Sequence, residues 1–277
     1  MKLHRDGNNF REVEDLLHTA QHAGEIPGGV ALVRRHGTTI FHEAFGWAAL
    51  EPERRPMQLD TIFDLASLTK PLATTPLVLQ LVARERIALE DPVSRYLPAM
   101  AAFADGRITI RQLLTHTSGL AAWLPLYVYT QNRRDVVRII AATEPECAPG
   151  SQVVYSCPGF IVLGRLVEEL SDSRLDEAAS QLLFAPLGVR DAGYGSQVDA
   201  ARCARTERGN RYEEAMVAQD GLQFEGWRED CLPGTVHDGN AWYALGGISG
   251  NAGLFGTAHD VGVLGQMWLD AGRGDAG

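Results

Sequence analysis

The chain has 277 residues, 45% hydrophobic and 22% charged, which is ordinary for a globular protein and excludes disordered, collagen-like and coiled-coil classes. Its formal net charge of −10 argues against a nucleic-acid partner, because phosphate binding needs clustered Lys and Arg. No run approaches the roughly 18 apolar residues needed to cross a bilayer. We therefore expect a soluble globular protein with no membrane span.

The chain start and the cysteines bear on the compartment. Residues 1–6 are not followed by an apolar stretch, so the pattern of a secretory signal is missing and the cytoplasm is expected. Four cysteines lie far apart and form no CxxC pair: Cys147, Cys157, Cys203 and Cys231. They are predicted to be free thiols, neither a disulfide framework nor a zinc site. No metal or other cofactor is expected, and the oligomeric state stays open.

The first elements read as a helix followed by a hairpin. Residues 10–23 carry apolar side chains at helical spacing after a cap at Asn8 and Asn9. Two β-prone runs, 28–35 and 38–47, flank a tight turn and predict a β-hairpin. A hairpin alone is not a stable sheet, so other strands must complete it.

The middle of the chain is predicted to be mostly helical. A helix begins at Ser67, runs to about residue 88 and is kinked at Pro76. Residues 200–240 are polar and irregular, which predicts a long excursion over the surface. Further helices are predicted over residues 108–115, 132–142 and 159–170, and from about residue 258.

These elements predict an α+β fold, an antiparallel sheet flanked by helices plus an all-helical domain. Residues 1–66 and 241–277 would supply an incomplete sheet domain, and residues 67–240 the helical domain, with Ser67 at the junction. Nothing after residue 257 has a strand pattern, so the last strands of the sheet are expected to be missing.

Ser67 and Lys70 form an S-x-x-K pair at the predicted helix start. A spacing of three puts both side chains on one helix face. A serine hydroxyl needs a base to become a good nucleophile; a buried lysine amine can lose its proton, whereas arginine cannot. Of the 25 basic residues only Lys2 and Lys70 are lysines, which favours a chemical reason for Lys70. The alternative is a surface serine and lysine that lie three apart by chance.

Tyr155 lies just before a predicted helix, in the run Tyr155-Ser156-Cys157. A tyrosine on such a loop can point its phenol into a cleft as a second proton-transfer group. The alternative is a half-buried tyrosine of the core.

Four segments, in this order and at this spacing, resemble the serine β-lactamase, DD-peptidase and esterase superfamily, in the branch of class C β-lactamases, DD-carboxypeptidases and related esterases. They are residues 67–70 (SLTK), 113–120 (LLTHTSGL), 155–160 (YSCPGF) and 250–260 (GNAGLFGTAHD). A fifth segment, 236–241 (VHDGNA), is similar to a bacterial subgroup, the penicillin-binding-protein-4B-like serine hydrolases.

The resemblance implies a β-lactamase/transpeptidase-like fold with the site in a groove between the two domains. It implies that Ser67 is the acylated nucleophile, Lys70 its base and Tyr155 the proton shuttle to the leaving group. A small-molecule ester, amide or β-lactam would be the substrate. His116 would be structural, because the family uses its segment to turn the chain.

Cys157 departs from the family pattern, because relatives usually carry Asn or Asp at this substrate-facing position. That side chain accepts a hydrogen bond from the lysine, whereas a thiol is a weak acceptor. We expect Lys70 to be held less firmly and activity to be impaired. An oxidation-sensitive or substrate-tuned variant is the alternative.

The second departure concerns a Lys/His/Trp-x-Gly strand that the family places after the glycine-rich segment. The chain ends at residues 275–277 before any such strand, which suggests a truncated or degenerate relative. Two functions therefore stay open. One is a serine hydrolase that forms an acyl-enzyme on an ester or amide; the other is a catalytically silent protein that keeps the groove to bind a peptide or cell-wall fragment.

Overall fold

A computed structural model describes residues 10–230 and 232–274. The helices are α1 (Arg11–His22), α2 (Thr75–Ala83), α3 (Ile110–Leu114), α4 (Leu126–Tyr129), α5 (Val136–Ala141), α6 (Cys157–Ser171), α7 (Leu175–Ala179), α8 (Arg211–Gln219) and α9 (Ala258–Arg273). The strands are β1 (Gly28–Arg35), β2 (Thr38–Ala49), β3 (Arg55–Pro56), β4 (Phe63–Asp64), β5 (Gly193–Tyr194) and β6 (Leu254–Gly256). Lys2, Cys231, the cap predicted at Asn8 and Asn9, and residues 275–277 lie outside the described residues.

The predicted hairpin is confirmed and gains a third strand. β1 and β2 pair antiparallel, with Gly28 opposite Gly46. The turn residues His36 and Gly37 both have positive φ, 50° and 74°, as a two-residue type I′ turn requires. β3 pairs with the end of β2. α1 packs on β2 and α9 packs on β1, so helices cover this sheet as expected.

A second small sheet, which the sequence did not predict, connects distant parts of the chain. β6 lies in its centre and pairs antiparallel with β4 on one side and β5 on the other. β4 ends two residues before Ala66, and β6 follows the glycine-rich run at 250–253. The sheet therefore brings Ser67 and the glycine-rich run together.

The helix predicted from Ser67 is interrupted and shorter than expected. It begins as a 3₁₀ turn at Ala66–Leu68, continues as a π-helical turn at Lys70–Thr74 and becomes regular only in α2. Pro71 and Pro76 explain the irregularity, because neither can donate the N–H that an α-helix needs there. The helix ends at Ala83 rather than near residue 88, and Glu85 beyond it has a φ of 55°.

The large core lies among the helices. It is built chiefly from α2, α3, α5 and α6, whose buried side chains include Val78, Ile110, Ile140 and Leu163. α6 begins after Ser156, whose hydroxyl accepts from the Gly159 N–H at 3.1 Å and caps the helix.

The prediction for residues 200–240 is wrong in part. The region contains α8, and Cys203, Val236 and Asn240 are buried. Polar side chains of this region form internal hydrogen bonds. Asn240, for example, accepts from the Leu126 N–H at 2.8 Å and donates to the Leu124 carbonyl at 2.9 Å. Buried hydrogen-bonded polar groups cannot be told from exposed ones by composition.

The described residues form the α+β architecture that was predicted, with helices and antiparallel sheets. The domain boundaries at 66/67 and 240/241 stay a prediction. The three described cysteines, Cys147, Cys157 and Cys203, are free thiols. Within residues 10–230 and 232–274, none of the helices combines the length and hydrophobicity that a membrane crossing requires.

A glycine contact beside the site is open to test. A Cβ on Gly250 would lie 2.0 Å from the Phe160 carbonyl oxygen and 2.9 Å from the Gly164 nitrogen, both backbone atoms of α6. We expect Gly250→Ala to lower the free energy of unfolding by about 2–3 kcal/mol, because the backbones must separate. Urea denaturation followed by circular dichroism would measure it.

Gly265→Ala in α9 is the matched control, since a Cβ there would have nothing within 4 Å. This substitution is expected to be neutral or to stabilise by about 0.5–1 kcal/mol. Equal effects of the two substitutions would contradict the close packing of residue 250 on α6.

Candidate active site

Lys70 and Ser67 lie at the centre of the site. The Lys70 Nζ is 3.0 Å from the Ser67 Oγ. Lys70 is only 3% exposed, whereas Ser67 is exposed to solvent. The amine also donates to the Asn251 carbonyl at 3.1 Å and contacts the Cys157 Sγ at 3.6 Å. The predicted side-by-side placement of hydroxyl and amine is therefore present.

The turn that carries Ser67 is fixed by hydrogen bonds on both sides. Asp64 accepts from the Ala66 N–H at 2.9 Å and from the His237 N–H at 2.8 Å. The Thr69 hydroxyl donates to the Ala66 carbonyl at 2.7 Å and accepts from the Leu254 N–H at 3.1 Å. Ala66 has a φ of 45°, a region that non-glycine residues rarely adopt. The turn is thus held between β4, β6 and the segment around residue 237.

Tyr155 and Phe160 form an aromatic wall beside the amine. The Lys70 Nζ lies 4.8 Å from the centre of the Tyr155 ring and 5.8 Å from that of Phe160. Tyr155 is 51% exposed and is not among the described side chains that pack on the large core, which argues against the alternative of a half-buried core tyrosine. Within the described residues, no hydrogen bond joins the phenol oxygen to Ser67 or Lys70. The tyrosine therefore lines the site with its ring towards the amine.

His116 supports this wall. Its ring lies 4.6 Å from that of Tyr155 and 5.0 Å from that of Phe160. Its Nδ1 accepts from the Ser156 N–H at 2.9 Å, which requires a ring that is unprotonated at this nitrogen. Burial, and then the positive charge of Lys70, lower the pKa of His116. The structural role that the sequence predicted agrees with these contacts, but the position inside the site was not foreseen.

Cys157 begins α6 and meets Lys70, as its place in the motif predicted. Burial raises the pKa of its thiol, although Lys70 and the Asn251 side chain act in the opposite direction. A neutral thiol is a poor acceptor for an ammonium group.

Three residues that the sequence analysis did not single out complete the site: Asp64, Asp238 and Asn251. Asn251 is fully buried and donates from its Nδ2 to the Asp238 Oδ2 at 3.1 Å. The only sequence signal was that Asp238 and Asn251 lie in segments that resemble the family, 236–241 and 250–260, without an assigned role. The neighbouring His237 has a different partner, since its Nε2 lies 2.7 Å from the Glu207 Oε1.

An open cavity of about 520 Å³ lies in front of Ser67 and Lys70. Its walls are mostly apolar: Leu65, Leu68, Pro71, Leu114 and Phe160, with Tyr155 and His116. A larger cavity of about 630 Å³ lies beside β2 and residues 204–208. Ion pairs of Arg208 with Glu51 and of Arg205 with Asp230 neutralise charged groups there. The smaller cavity is the one that contains the candidate chemistry.

Comparison with known proteins identifies the family. The family model described as "Beta-lactamase" matches residues 13–276. The chain belongs to the Beta-lactamase family. The resemblance to this superfamily and the α+β, β-lactamase/transpeptidase-like fold predicted from the sequence are confirmed. The subgroup, the truncation and the missing strands stay predictions.

Relatives in the Beta-lactamase family carry several names. The chain is 32% identical to an N-acetylmuramyl-L-alanine amidase of Bacillus subtilis, over 95% of this chain and 63% of the amidase. It is 36% identical to esterase EstB of Burkholderia gladioli, over 90% of this chain and 70% of the esterase. The chain thus spans about two thirds of the length of these relatives.

Solved structures have the same fold. EstCE1, described as a hydrolase with promiscuous acyltransferase activity, superposes with a TM-score of 0.72 at 28% identity, over 92% of this chain and 70% of that one. A class C β-lactamase from Rhodobacter sphaeroides superposes with a TM-score of 0.68 at 22% identity, over 91% of this chain and 63% of that one. The second likeness concerns the fold alone.

The environment of His116 predicts a pH effect on stability. Because its pKa is lowered in the folded chain, protonation favours the unfolded chain, and stability is lost as the pH falls below about 6.5. We expect His116→Asn, which keeps an acceptor and tolerates positive φ, to remove up to about 1 kcal/mol of the loss between pH 7.5 and 5.5. Urea denaturation at both pH values would measure the difference.

His22→Asn is the control, since His22 is exposed at the end of α1. It is not expected to reduce the loss. If His116→Asn leaves the loss unchanged, the ring is not held neutral by the fold.

Proposed function

We propose that this chain is a serine hydrolase that forms an acyl-enzyme on an ester or amide, with Ser67 as nucleophile, Lys70 as base and Tyr155 as proton shuttle. The observation that carries the proposal is the buried Lys70 amine, 3.0 Å from an exposed serine hydroxyl. A hydroxyl that faces solvent can meet a substrate, and a buried amine beside it can take its proton.

The proposed reaction follows from these positions. Ser67 gives its proton to the neutral Lys70 amine while its oxygen bonds to the carbonyl carbon of the substrate. The bond to the leaving group then breaks, and the proton passes by way of Tyr155 to the departing oxygen or nitrogen. Water attacks the acyl-enzyme, and the acid leaves with Ser67 restored. Lys70 suits this role because its amine lies within hydrogen-bond distance of the hydroxyl whose proton it takes, 3.0 Å from the Ser67 Oγ.

The cavity favours substrates with an apolar acyl group. Leu68, Leu114 and Phe160 contribute apolar walls in front of the serine. A small ester or amide with a compact apolar acyl part suits a space of about 520 Å³. The names of the relatives, which include an esterase and an amidase, support the same class.

A catalytically silent binding protein is the second candidate, and Cys157 is the observation that favours it. The thiol lies 3.6 Å from the Lys70 Nζ and is a weak acceptor, so the amine is held less firmly than by an amide or a carboxylate. Retention of Ser67, Lys70 and Tyr155 in one cavity favours the enzyme.

Covalent labelling tests the proposal. The chain is exposed to a fluorophosphonate and, separately, to a penicillin, and intact mass is recorded over time. We expect one adduct, absent in Ser67→Ala and formed at least about 100-fold more slowly in Lys70→Arg, because arginine cannot act as the base. The faster reagent distinguishes an esterase from a penicillin-binding protein.

Circular dichroism and thermal unfolding would show that each variant is folded. A folded wild-type chain that forms no adduct with either reagent would refute the hydrolase and leave the binding protein. An adduct that persists in Ser67→Ala would place the nucleophile elsewhere.

Replacing the thiol tests the role of residue 157. Cys157→Asn supplies an amide oxygen beside Lys70, and we expect acylation by the preferred reagent to accelerate roughly tenfold, as restoring a supporting hydrogen bond does at comparable sites. Cys147→Ser, a substitution of another partly exposed thiol, is expected to leave the rate unchanged. A slower reaction in Cys157→Asn would mean that the thiol is adapted to the substrate instead.

A further inference from the structure

A chain of hydrogen bonds connects Lys70 to a carboxylate that the reaction does not use. The Lys70 Nζ donates to the carbonyl oxygen of Asn251 at 3.1 Å. The Asn251 side chain donates to the Asp238 Oδ2 at 3.1 Å and accepts from the Ser249 hydroxyl at 2.5 Å. The Asp238 Oδ1 accepts from the Ala241 N–H at 2.8 Å. Both oxygens of the Asp238 carboxylate are thus hydrogen-bonded, and Asn251 bridges the carboxylate and the Lys70 amine.

The buried amine needs a negative charge nearby. An ammonium removed from water is costly unless hydrogen bonds and an opposite charge compensate it. Ser67 and the Asn251 carbonyl supply neutral acceptors, and the Cys157 thiol is a weak one. Asp238 interacts electrostatically with Lys70, and this attraction opposes the effect of burial on the carboxyl, which raises its pKa.

We propose that Asp238 is the positioning residue for the Lys70 amine: through Asn251 it orients the carbonyl that Lys70 contacts, and its charge stabilises the ammonium that forms when Ser67 loses its proton. Its consequence for catalysis rests on the proposed function. Its effect on the lysine itself does not, because that effect exists with or without turnover.

Other titratable groups lie near Asp238, and the test must distinguish their effects on Lys70 from that of Asp238. His237 precedes it and pairs with Glu207. Glu213 accepts from the Gly239 N–H at 2.7 Å and from the Tyr127 hydroxyl at 2.9 Å. Burial, and then the negative charge of Asp238, raise the pKa of Glu213.

The negative charge of Asp238 also acts on Asp64 and on the Cys157 thiol: burial, and in addition this charge, raise the pKa of both groups. Asp64 is committed to the Ala66 and His237 N–H groups. Among these carboxylates, Asp238 is the one with a hydrogen-bond path through Asn251 to Lys70. Glu213 is therefore a matched control, a partly buried carboxylate that also accepts hydrogen bonds but has none to Asn251 among those of the described residues.

The lysine content of the chain makes a direct measurement possible. Only Lys2 and Lys70 are lysines, so protein grown with ¹³C-labelled lysine gives two side-chain signals. Lys70→Arg assigns the Lys70 signal, and Lys2 supplies an internal reference. The pH at which the Lys70 signal is half-titrated is then compared in the wild type, Asp238→Asn and Glu213→Gln.

We expect Asp238→Asn to move this midpoint at least about 0.5 pH unit lower, because a nearby anion favours the ammonium. Glu213→Gln should move it much less, and Asp238→Glu should restore it. In acylation by the fluorophosphonate, the acid limb of the pH profile should move lower in Asp238→Asn and the plateau rate should fall roughly tenfold. A residue with a merely structural role would lower the plateau without moving the limb or the midpoint.

An unchanged midpoint in folded Asp238→Asn, or an equal shift in Glu213→Gln, would overturn the inference. If Asp238→Asn does not fold, Asn251→Ser, which cuts the link but keeps the carbonyl, must lower the midpoint for the inference to stand. Failure of the proposed function has a different signature: Ser67 is not labelled in the wild type, whereas the Lys70 midpoint still depends on Asp238.

Discussion

The burial of the Lys70 amine is the constraint on which the site depends. Removing an ammonium from water costs several kcal/mol unless well-placed partners replace the lost hydration. At 3% exposure, Lys70 meets this demand with the Ser67 hydroxyl and the Asn251 carbonyl, and with the ring faces of Tyr155 and Phe160. These partners come from three separate regions of the chain, so the fold must bring all three to one point.

The second small sheet, formed by β4, β6 and β5, helps to bring these regions together. β4 leads into the Ser67 turn, β6 follows the glycine-rich run, and their pairing aligns Phe63 with Gly256. α6 closes the site from the third side, and Gly250 lets its backbone approach closely. Strands of two or three residues are enough to hold this turn, because β5 and β6 are buried and the side chains of Asp64 and Thr69 form hydrogen bonds with the turn and with β6.

The polar region at 200–240 acts as a support for the site. The His237 N–H donates to Asp64, whereas Asn240 and Asp238 accept from the Leu126 N–H and from the Asn251 side chain. Cys157 makes this support more important, because the thiol contributes little to holding Lys70. The site thus combines a weakly supporting thiol on α6 with a carboxylate that is hydrogen-bonded at both of its oxygens.

The sequence by itself determined the local elements and the contact at the centre of the proposed site. The hairpin follows from its β-prone runs and turn, most helices from their apolar spacing, and the Ser67–Lys70 contact from a spacing of three residues. Only the tertiary structure decided which distant residues complete the site. Asp64 is far along the chain from Asp238 and Asn251, and the last two sit in polar or glycine-rich stretches that resemble surface loops by composition. Their roles come from burial and long-range pairing, and neither leaves a local periodic pattern that a reading of the sequence can detect.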